Sequence, residues 1–355
     1  MENNALSDSL FSPGVPWLDG NRKNTIALSC RVRLARNLAG FCFPARGEDQ
    51  ALDQVREKVR KALQEISKPR LSFEELAMEE LSPPEKLYLL ESRYVSREFL
   101  SGRKASSLFA CPDEGIYIMV NEEDHLRLQI LSPGASPEKV WKKLFALDQA
   151  LGKKLSYAWD PAFGYLTSCP TNLGTGLRAS FMLHLPALTL SGEIQQLSRS
   201  LQKLGFVMRG IYGEGSKSIG NLYQISNQST LGESEEEIFA RLRKVIDSTV
   251  EREEAVRQVF LAKKKEELYN FAARSYGLLR YSYFLTGEEA LHALSGLRLA
   301  LDLGMLENIS RKEIDALFLL LQEAHICRKA GSLLPAQERG KFRAEIFRNA
   351  LSHRN

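Results

Sequence analysis

The sequence predicts an α+β domain built on a mainly antiparallel sheet flanked by helices, followed by an all-α domain at the C-terminal end. Three observations predict it. Short apolar runs in the first two thirds are joined by polar or glycine-rich loops too short for the helical crossovers that parallel strands need. Twelve of the thirteen prolines lie at or before Pro186, and none falls between Ala187 and Leu334. From about Glu233 onward, apolar residues recur at helical spacing.

In chain order, Ile26-Ala27-Leu28 leads as a strand into Ser29-Cys30-Arg31-Val32-Arg33. Helical patterns run from Ala51 to Ile66, Pro137 to Leu151 and Gly192 to Leu204. Ile116 to Val120 and Leu126 to Leu131 read as strands around the polar turn Asn121-Glu122-Glu123-Asp124-His125. Ala179 to Leu185 reads as helix-like after a loop with two glycines, and Phe206 to Met208 with Leu222 to Ile225 as a second strand pair. Ser234-Glu235-Glu236-Glu237 opens a helix with an acidic first turn and apolar residues at Ile238, Leu242, Val245, Ile246 and Val250. Further helices are expected around 255–273, 287–301, 311–323 and 336–352, entered through the charged segment Ala262 to Glu267. The expected division is an extension over 1–24, a domain over 25–255 and a helical domain over 256–355.

Composition narrows the class. The 355 residues are 44% hydrophobic and 26% charged, ordinary globular material. A net charge of +4 is too mild for a nucleic-acid-coating protein. No basic and apolar leader opens the chain and no apolar stretch approaches ~20 residues, so neither a secretory signal nor a membrane span is expected. The five cysteines are widely spaced with no CxxC pair, against zinc and against a disulfide scaffold. The default is a soluble cytoplasmic protein with no metal site of its own.

Several segments carry chemistry. Alternation puts Arg31 and Arg33 on one face of their strand, where two guanidiniums can clamp a polyanion bidentately; the bland alternative is a strand edge protected by charge. The turn Asn121 to His125 places three carboxylates beside Arg127, usually a solvated hairpin, of interest if one carboxylate faces a cleft as a base. Cys169-Pro170-Thr171-Asn172-Leu173-Gly174-Thr175-Gly176-Leu177-Arg178 combines a thiol, small hydroxyls and glycines ahead of the expected helix, a loop whose N–H groups favour an anion; otherwise it is a tight loop with an inert Cys169. Arg209-Gly210-Ile211-Tyr212-Gly213-Glu214-Gly215-Ser216-Lys217-Ser218 fails the Walker A spacing and joins two strands, and the H-R-D and D-F-G motifs of eukaryotic protein kinases are absent. Five arginines with two loop glutamates suit a nucleotide triphosphate with magnesium, because phosphoryl transfer is mostly positioning and charge neutralisation. The carboxylates suit a guanidinium acceptor, whose pKa above ~12 makes it a poor nucleophile until acidic partners orient it and draw off a proton.

In this order, SCRVR at 29–33, NEEDHLR at 121–127, CPTNLGTGLRAS at 169–180 and RGIYGE at 209–214 resemble the signature segments of the ATP:guanidino phosphotransferases, the phosphagen kinase family, over about Thr25 to Ile238. The resemblance implies a phosphagen-kinase-like catalytic domain. Within the family the chain is most similar to the bacterial protein arginine kinases: about two dozen residues precede the first signature strand, so the small helical domain of the metabolite kinases is not expected, and SYGLL at 275–279 with LRLALDLG at 297–304 resemble the helical domain of the protein arginine kinases.

The resemblance implies ATP and Mg²⁺, with the phosphates held by Arg31, Arg33, Arg127, Arg178 and Arg209. Its nucleotide site spans Ser29, Cys30, Arg31, Val32 and Arg33; Arg178, Ala179, Ser180, Phe181 and Met182; and Arg209, Gly210, Ile211, Tyr212, Gly213 and Glu214, with a looser match at Arg93. Glu123 and Glu214 match the carboxylates that face the acceptor, Glu123 as the base, and Cys169 matches a thiolate that assists electrostatically. Arg339-Gly340-Lys341-Phe342-Arg343-Ala344 matches the phosphoarginine-sensing motif R-D-x-x-R-A with glycine in place of the acid, which implies weakened or absent activation by phosphoarginine. Implied partners are arginine-bearing protein substrates, a DNA-binding repressor among them, a zinc-binding activator and the Clp protease machinery in stress response, with no direct nucleic acid and no membrane. A homodimer would use apolar helical faces that core packing explains equally well. The rival readings are a small-molecule guanidino kinase and a non-catalytic adaptor that binds phosphoarginine or a repressor.

Overall fold

The computed structural model describes residues 10–11, 26–101, 105–134, 137–210, 219–306 and 309–352. The expected extension over 1–24, apart from Leu10 and Phe11, and the stretch Ile211 to Ser218 lie outside them. The chain begins with β1 (Ala27–Arg36), α1 (Asp49–Ile66), β2 (Glu74–Ala77), α2 (Pro83–Glu91), α3 (Arg97–Leu100), β3 (Ser107–Cys111), β4 (Ile116–Val120), β5 (Leu126–Pro133) and α4 (Pro137–Gly152). The short β6 (Trp159–Asp160) and β7 (Gly164–Tyr165) precede β8 (Leu177–His184), α5 (Pro186–Leu190), α6 (Ile194–Lys203), β9 (Phe206–Gly210) and β10 (Leu222–Asn227). Six helices follow: α7 (Glu235–Lys263), α8 (Lys265–Tyr281), α9 (Gly287–Asp302), α10 (Arg311–Leu320), α11 (Glu323–Ala330) and α12 (Ala336–Ser352). Eight strands pair in the order β2-β3-β4-β5-β1-β8-β10-β9, and β6 pairs with β7 apart from them. The ladders from β2 to β5 and from β5 to β1 are antiparallel. The phosphagen-kinase-like α+β expectation stands.

The chain forms two compact units. The first is composed mainly of Ser29–Ser180 with Ser226–Arg243. In it, Leu52, Val55, Val59, Ala62 and Leu63 make the buried stripe of α1, at the three- and four-residue spacing of an amphipathic helix. α4 buries Val140, Leu144, Leu147 and Leu151 in the same way. Arg36, at the end of β1, is buried and pairs with Asp148 of α4 at 2.8 Å; its guanidinium lies 3.5 Å from the Tyr165 ring centre.

The second unit is composed mainly of Phe181–Ile225 and Lys244–Asn355. A buried polar network joins its elements. Arg298 of α9 donates to Asp315 of α10 at 2.6 Å, to Asp302 at 3.1 Å and to His184 Nδ1 at 3.1 Å. Arg257 of α7 pairs with Asp302 at 3.1 Å and with Glu253 at 2.8 Å, and Glu253 accepts the N–H groups of Ala187 and Leu188 at the start of α5. Burial first, then Arg298 and Arg257, hold His184 well below the usual histidine range. The ring is therefore neutral: it accepts from Arg298 at Nδ1 and donates at Nε2 to Ser295 Oγ, 2.8 Å away.

Two expectations are corrected. The helix expected from Ala179 to Leu185 is strand β8, whose Ala179 N–H donates to Asn227 Oδ1 at 2.9 Å. Nearly every residue of β8 is buried, so it lacks the apolar–polar alternation that marks a strand facing solvent. Its place between β1 and β10 overrides helix-prone residues. The helix expected around 255–273 is two helices, because α7 runs 29 residues and breaks only at Lys264, with φ −138° and ψ 36°. Lysine and glutamate are good helix formers, and nothing in their pattern marks a one-residue break.

Replacing Arg298 with Met keeps its volume and leaves Asp315 buried without its cation. Urea unfolding of Arg298→Met is expected to show a loss of about 3 kcal/mol or more; a loss under about 1 kcal/mol would contradict the role given to the network.

Candidate active site

Antiparallel register builds the first part of the site. Arg33 of β1 sits opposite Gln129 of β5, and Ala35 opposite Arg127. Side chains alternate along a strand and directly opposed residues share a face, so Arg31, Arg33 and Arg127 point to one side of the sheet. The charges act on one another across that face. Arg31 is pushed down to about 9, by burial first and then by Arg93, Arg127 and Arg178. Arg33 is held well below the ordinary guanidinium value, by burial and then by Arg31, Arg127 and Arg178, with Glu122 opposing. A guanidinium stays protonated in a protein, so the depression expresses lost hydration first and crowding of like charge after it. Arg33 Nε is buried and has no hydrogen-bond partner. The structure thus brings together four of the five expected phosphate-binding arginines, with Arg93 beside them.

Arg93 takes φ 64° after α2, and its carbonyl, with that of Tyr94, accepts from Gln129 Nε2 at 3.1 and 2.7 Å. Arg178 lies on β8 with Nη2 3.4 Å from Ser226 Oγ. Ser29, Cys30 and Val32 accompany the arginines on β1, as Ala179, Ser180, Phe181 and Met182 do on β8; Ser180 Oγ is 3.4 Å from the Arg31 carbonyl. Arg209 and Gly210 end β9 in the second unit. Ile211, Tyr212, Gly213 and Glu214 lie outside the described residues.

The polar turn after β4 is built, not merely solvated. Asn121 takes φ 60° and donates from Nδ2 to the Leu52 and Ala105 carbonyls at 2.9 Å each. Glu122 is buried, accepts from Arg127 Nη1 at 2.6 and 2.5 Å, and accepts the Ser96 hydroxyl. Burial acts to lower Arg127, but Glu122, with Glu123 and Asp124 adding, outweighs it and the net direction is upward. Asp124 Oδ1 accepts from Asn37 Nδ2 at 2.6 Å and from the Ser168 N–H at 2.7 Å. Ser168 Oγ donates to the Glu123 carbonyl at 2.7 Å, so the turn that presents Glu123 is tied to the residue before Cys169. His125 Nδ1 accepts the Leu38 N–H at 3.1 Å and Nε2 lies 3.1 Å from the Cys42 carbonyl, which fixes a neutral tautomer with the proton on Nε2. Its burial lowers the pKa to about 4.

Glu123 itself is exposed, and its carboxyl is raised above the ordinary value, by burial first, with Arg127 opposing and Asp124, Glu122 and Glu98 adding to it. Cys169 is half-buried, with Sγ 3.0 Å from Thr171 Oγ1. A short 3-10 turn over Pro170–Asn172 follows it, and the helix N-terminus expected after the loop is absent because β8 is a strand. Sequence reasoning missed Asn37, Ser96 and Ser168. Nothing in their local pattern separates them from loop residues; only the register of β1 against β5 brings Asn37 to the turn.

In the second unit, Arg339 donates to the Leu334 carbonyl at 2.8 Å and pairs with Glu323 at 3.1 Å. Arg343 is buried and donates to the Leu321 and Leu285 carbonyls at 3.0 and 2.8 Å. Lys341 pairs with Glu338, Ala344 is buried, and the Phe284 ring covers the Gly340 Cα: a Cβ there would stand 2.1 Å from a ring carbon.

Residues 54–256 match the C-terminal catalytic domain of the ATP:guanido phosphotransferases, and residues 265–355 match the C-terminal domain of the protein-arginine kinase McsB. The protein-arginine kinase of Halalkalibacterium halodurans is 41% identical over 95% of each chain, and that of Halothermothrix orenii 39% identical over 95% of this chain and 96% of its own. The crystal structure of lombricine kinase superposes with a TM-score of 0.59 at 25% identity, over 69% of this chain and 71% of that one. The chain belongs to the ATP:guanido phosphotransferase family, on its protein-arginine kinase branch.

Proposed function

We propose that this enzyme transfers the γ-phosphoryl group of ATP to arginine side chains of proteins, with a catalytic domain over 25–255 and a helical domain over 256–355. The observation that carries it is the crowding of Arg31, Arg33 and Arg127 on one face, with Arg178 in their field, next to the turn that presents Glu123. The arginines, with Arg93 and the backbone of β1 and β8, hold the triphosphate and neutralise charge as it moves to the leaving group, a role that the family resemblance extends to Arg209. Among the described residues no group of three or more His, Cys, Asp or Glu side chains is placed to hold a metal ion. Mg²⁺, which the family resemblance implies, would supply further charge neutralisation on the phosphates that these arginines would hold.

Glu123 accepts a proton from the acceptor guanidinium as the N–P bond forms and the bond from the γ-phosphorus to the β-bridging oxygen breaks, releasing ADP. Glu214 orients the same guanidinium, and Cys169 assists electrostatically. The names of the relatives favour a protein acceptor over free arginine, and a complete arginine and glutamate set favours catalysis over an adaptor. A zinc-binding activator, Clp-dependent degradation in stress response, a homodimer and cytoplasmic residence belong to the same proposal through the family resemblance. No described helix is long and apolar enough to cross a membrane.

Incubation with ATP and an arginine-rich protein, read by mass spectrometry under non-acidic conditions because P–N bonds are acid-labile, is expected to show phosphoarginine, with free arginine a poor acceptor. Preference for free arginine would select the metabolite-kinase reading, and ATP binding without transfer the adaptor.

Glu123→Gln is expected to lower turnover by about 10²-fold or more. The base works as a carboxylate, so the wild-type rate falls as pH drops through its pKa. With that carboxyl raised, the acid limb has its midpoint above 4.5 and disappears in the variant. A near-normal rate for Glu123→Gln would remove its role.

Phosphoarginine peptides are expected to activate the enzyme weakly or not at all, and Gly340→Asp alone is expected not to confer activation, since Phe284 stands where the new side chain would begin. A several-fold stimulation of the wild-type chain would contradict this.

A further inference from the structure

The loop from Cys169 to Gly176 is edged by apolar side chains that the transfer chemistry does not use. Trp159 is 58% exposed, Phe163 52% and Leu231 51%. Phe163 and Leu231 adjoin backbone held close against the loop, and Trp159 is joined to it through its strand partner Tyr165. β6 and β7 pair Trp159 with Tyr165 and Asp160 with Gly164, and Asp160 Oδ1 closes the turn between them by accepting the Ala162 and Phe163 N–H groups at 2.8 and 3.2 Å. Tyr165 N–H donates to the Gly174 carbonyl at 2.8 Å.

Glycine is required at both contact points. Gly164 and Gly174 take φ +73° and +102°. A Cβ on Gly164 would stand 2.7 Å from the Gly174 oxygen, and one on Gly174 would stand 2.6 Å from the Thr230 oxygen and 3.0 Å from the Leu231 Cα. Three segments therefore stack backbone on backbone, and the rim is fixed to the loop that Ser168 ties to the Glu123 turn.

Large apolar side chains presented together on rigid backbone mark a contact surface, and rigid aromatic anchors dominate such contacts. We propose that Trp159, Phe163 and Leu231 form the docking edge for the polypeptide that carries the acceptor arginine, receiving an apolar side chain that flanks it. The proposal rests on the reading of a protein acceptor. A free amino acid ends at its own backbone and has nothing to lay on this edge, whereas a polypeptide continues past the arginine in both directions.

The test uses the full chain, its Trp159→Ser/Phe163→Ser variant and three acceptors: a single-arginine peptide with leucine and phenylalanine flanks, the same peptide with serine flanks, and N-acetylarginine amide. Wild type is expected to favour the apolar-flanked peptide by roughly tenfold in kcat/KM, carried by KM. The variant is expected to lose that preference while its KM for ATP and its rate on the small amide stay unchanged. Equal kcat/KM on both peptides in wild type, or a variant that loses the amide reaction in parallel, would overturn the proposal. Absence of transfer to any acceptor would instead count against the function. Docking is then still decided by tryptophan fluorescence: a shift on adding the apolar-flanked peptide that vanishes in Trp159→Phe supports the edge, and no shift rejects it.

Discussion

Like charge held at close quarters is the constraint around which the first unit is arranged. Strand alternation places Arg31 and Arg33 on one face of β1, antiparallel register brings Arg127 of β5 to the same face, and Arg178 of β8 acts on both β1 arginines. Each guanidinium loses water and sits in the field of the others, which opposes folding. Glu122 is a buried carboxylate that answers part of this, through its two contacts with Arg127. What remains is positive potential on a preorganised surface, and such a surface binds a polyphosphate without rearranging first.

A second constraint shapes the turn that carries Glu123. Asp124 links Asn37 to Ser168, and neutral His125 spans the Leu38 N–H and the Cys42 carbonyl. Every one of these groups is spent on holding the turn. Glu123 is the carboxylate of the turn left outward, and burial, with Asp124, Glu122 and Glu98 adding and Arg127 opposing, raises it toward the range where a base returns its proton readily. Rigidity beside it and proton affinity within it thus come from the same short segment. The glycines at 164 and 174 extend that rigidity to the hairpin edge.

Much of this was legible in the residues. Strands β4, β5, β9 and β10 announced themselves by short apolar runs between turns, and the alternation of Arg31 and Arg33 survives in the fold. β8 did not, because a strand buried on both faces has no polar side to set the period, and its residues favour helix. The break at Lys264 was invisible because its neighbours all favour helix. In the site, the arginines and Glu123 carried their own chemical signal. Asn37, Ser96 and Ser168 carried none, since their roles arise from register between distant segments. Glu122 looked like one of three equivalent turn carboxylates until burial separated it from Glu123.

The central claim, that the arginine face is a self-repelling surface awaiting a polyanion, is tested most directly by thermal unfolding of wild type and Arg33→Met with and without tripolyphosphate. Methionine keeps an apolar stem and removes one charge together with the buried Nε. The account predicts that tripolyphosphate raises the wild-type midpoint, that the ligand-free variant unfolds no lower than wild type, and that the ligand stabilises the variant much less. A wild-type midpoint indifferent to tripolyphosphate, or a ligand-free variant several degrees less stable, would contradict it.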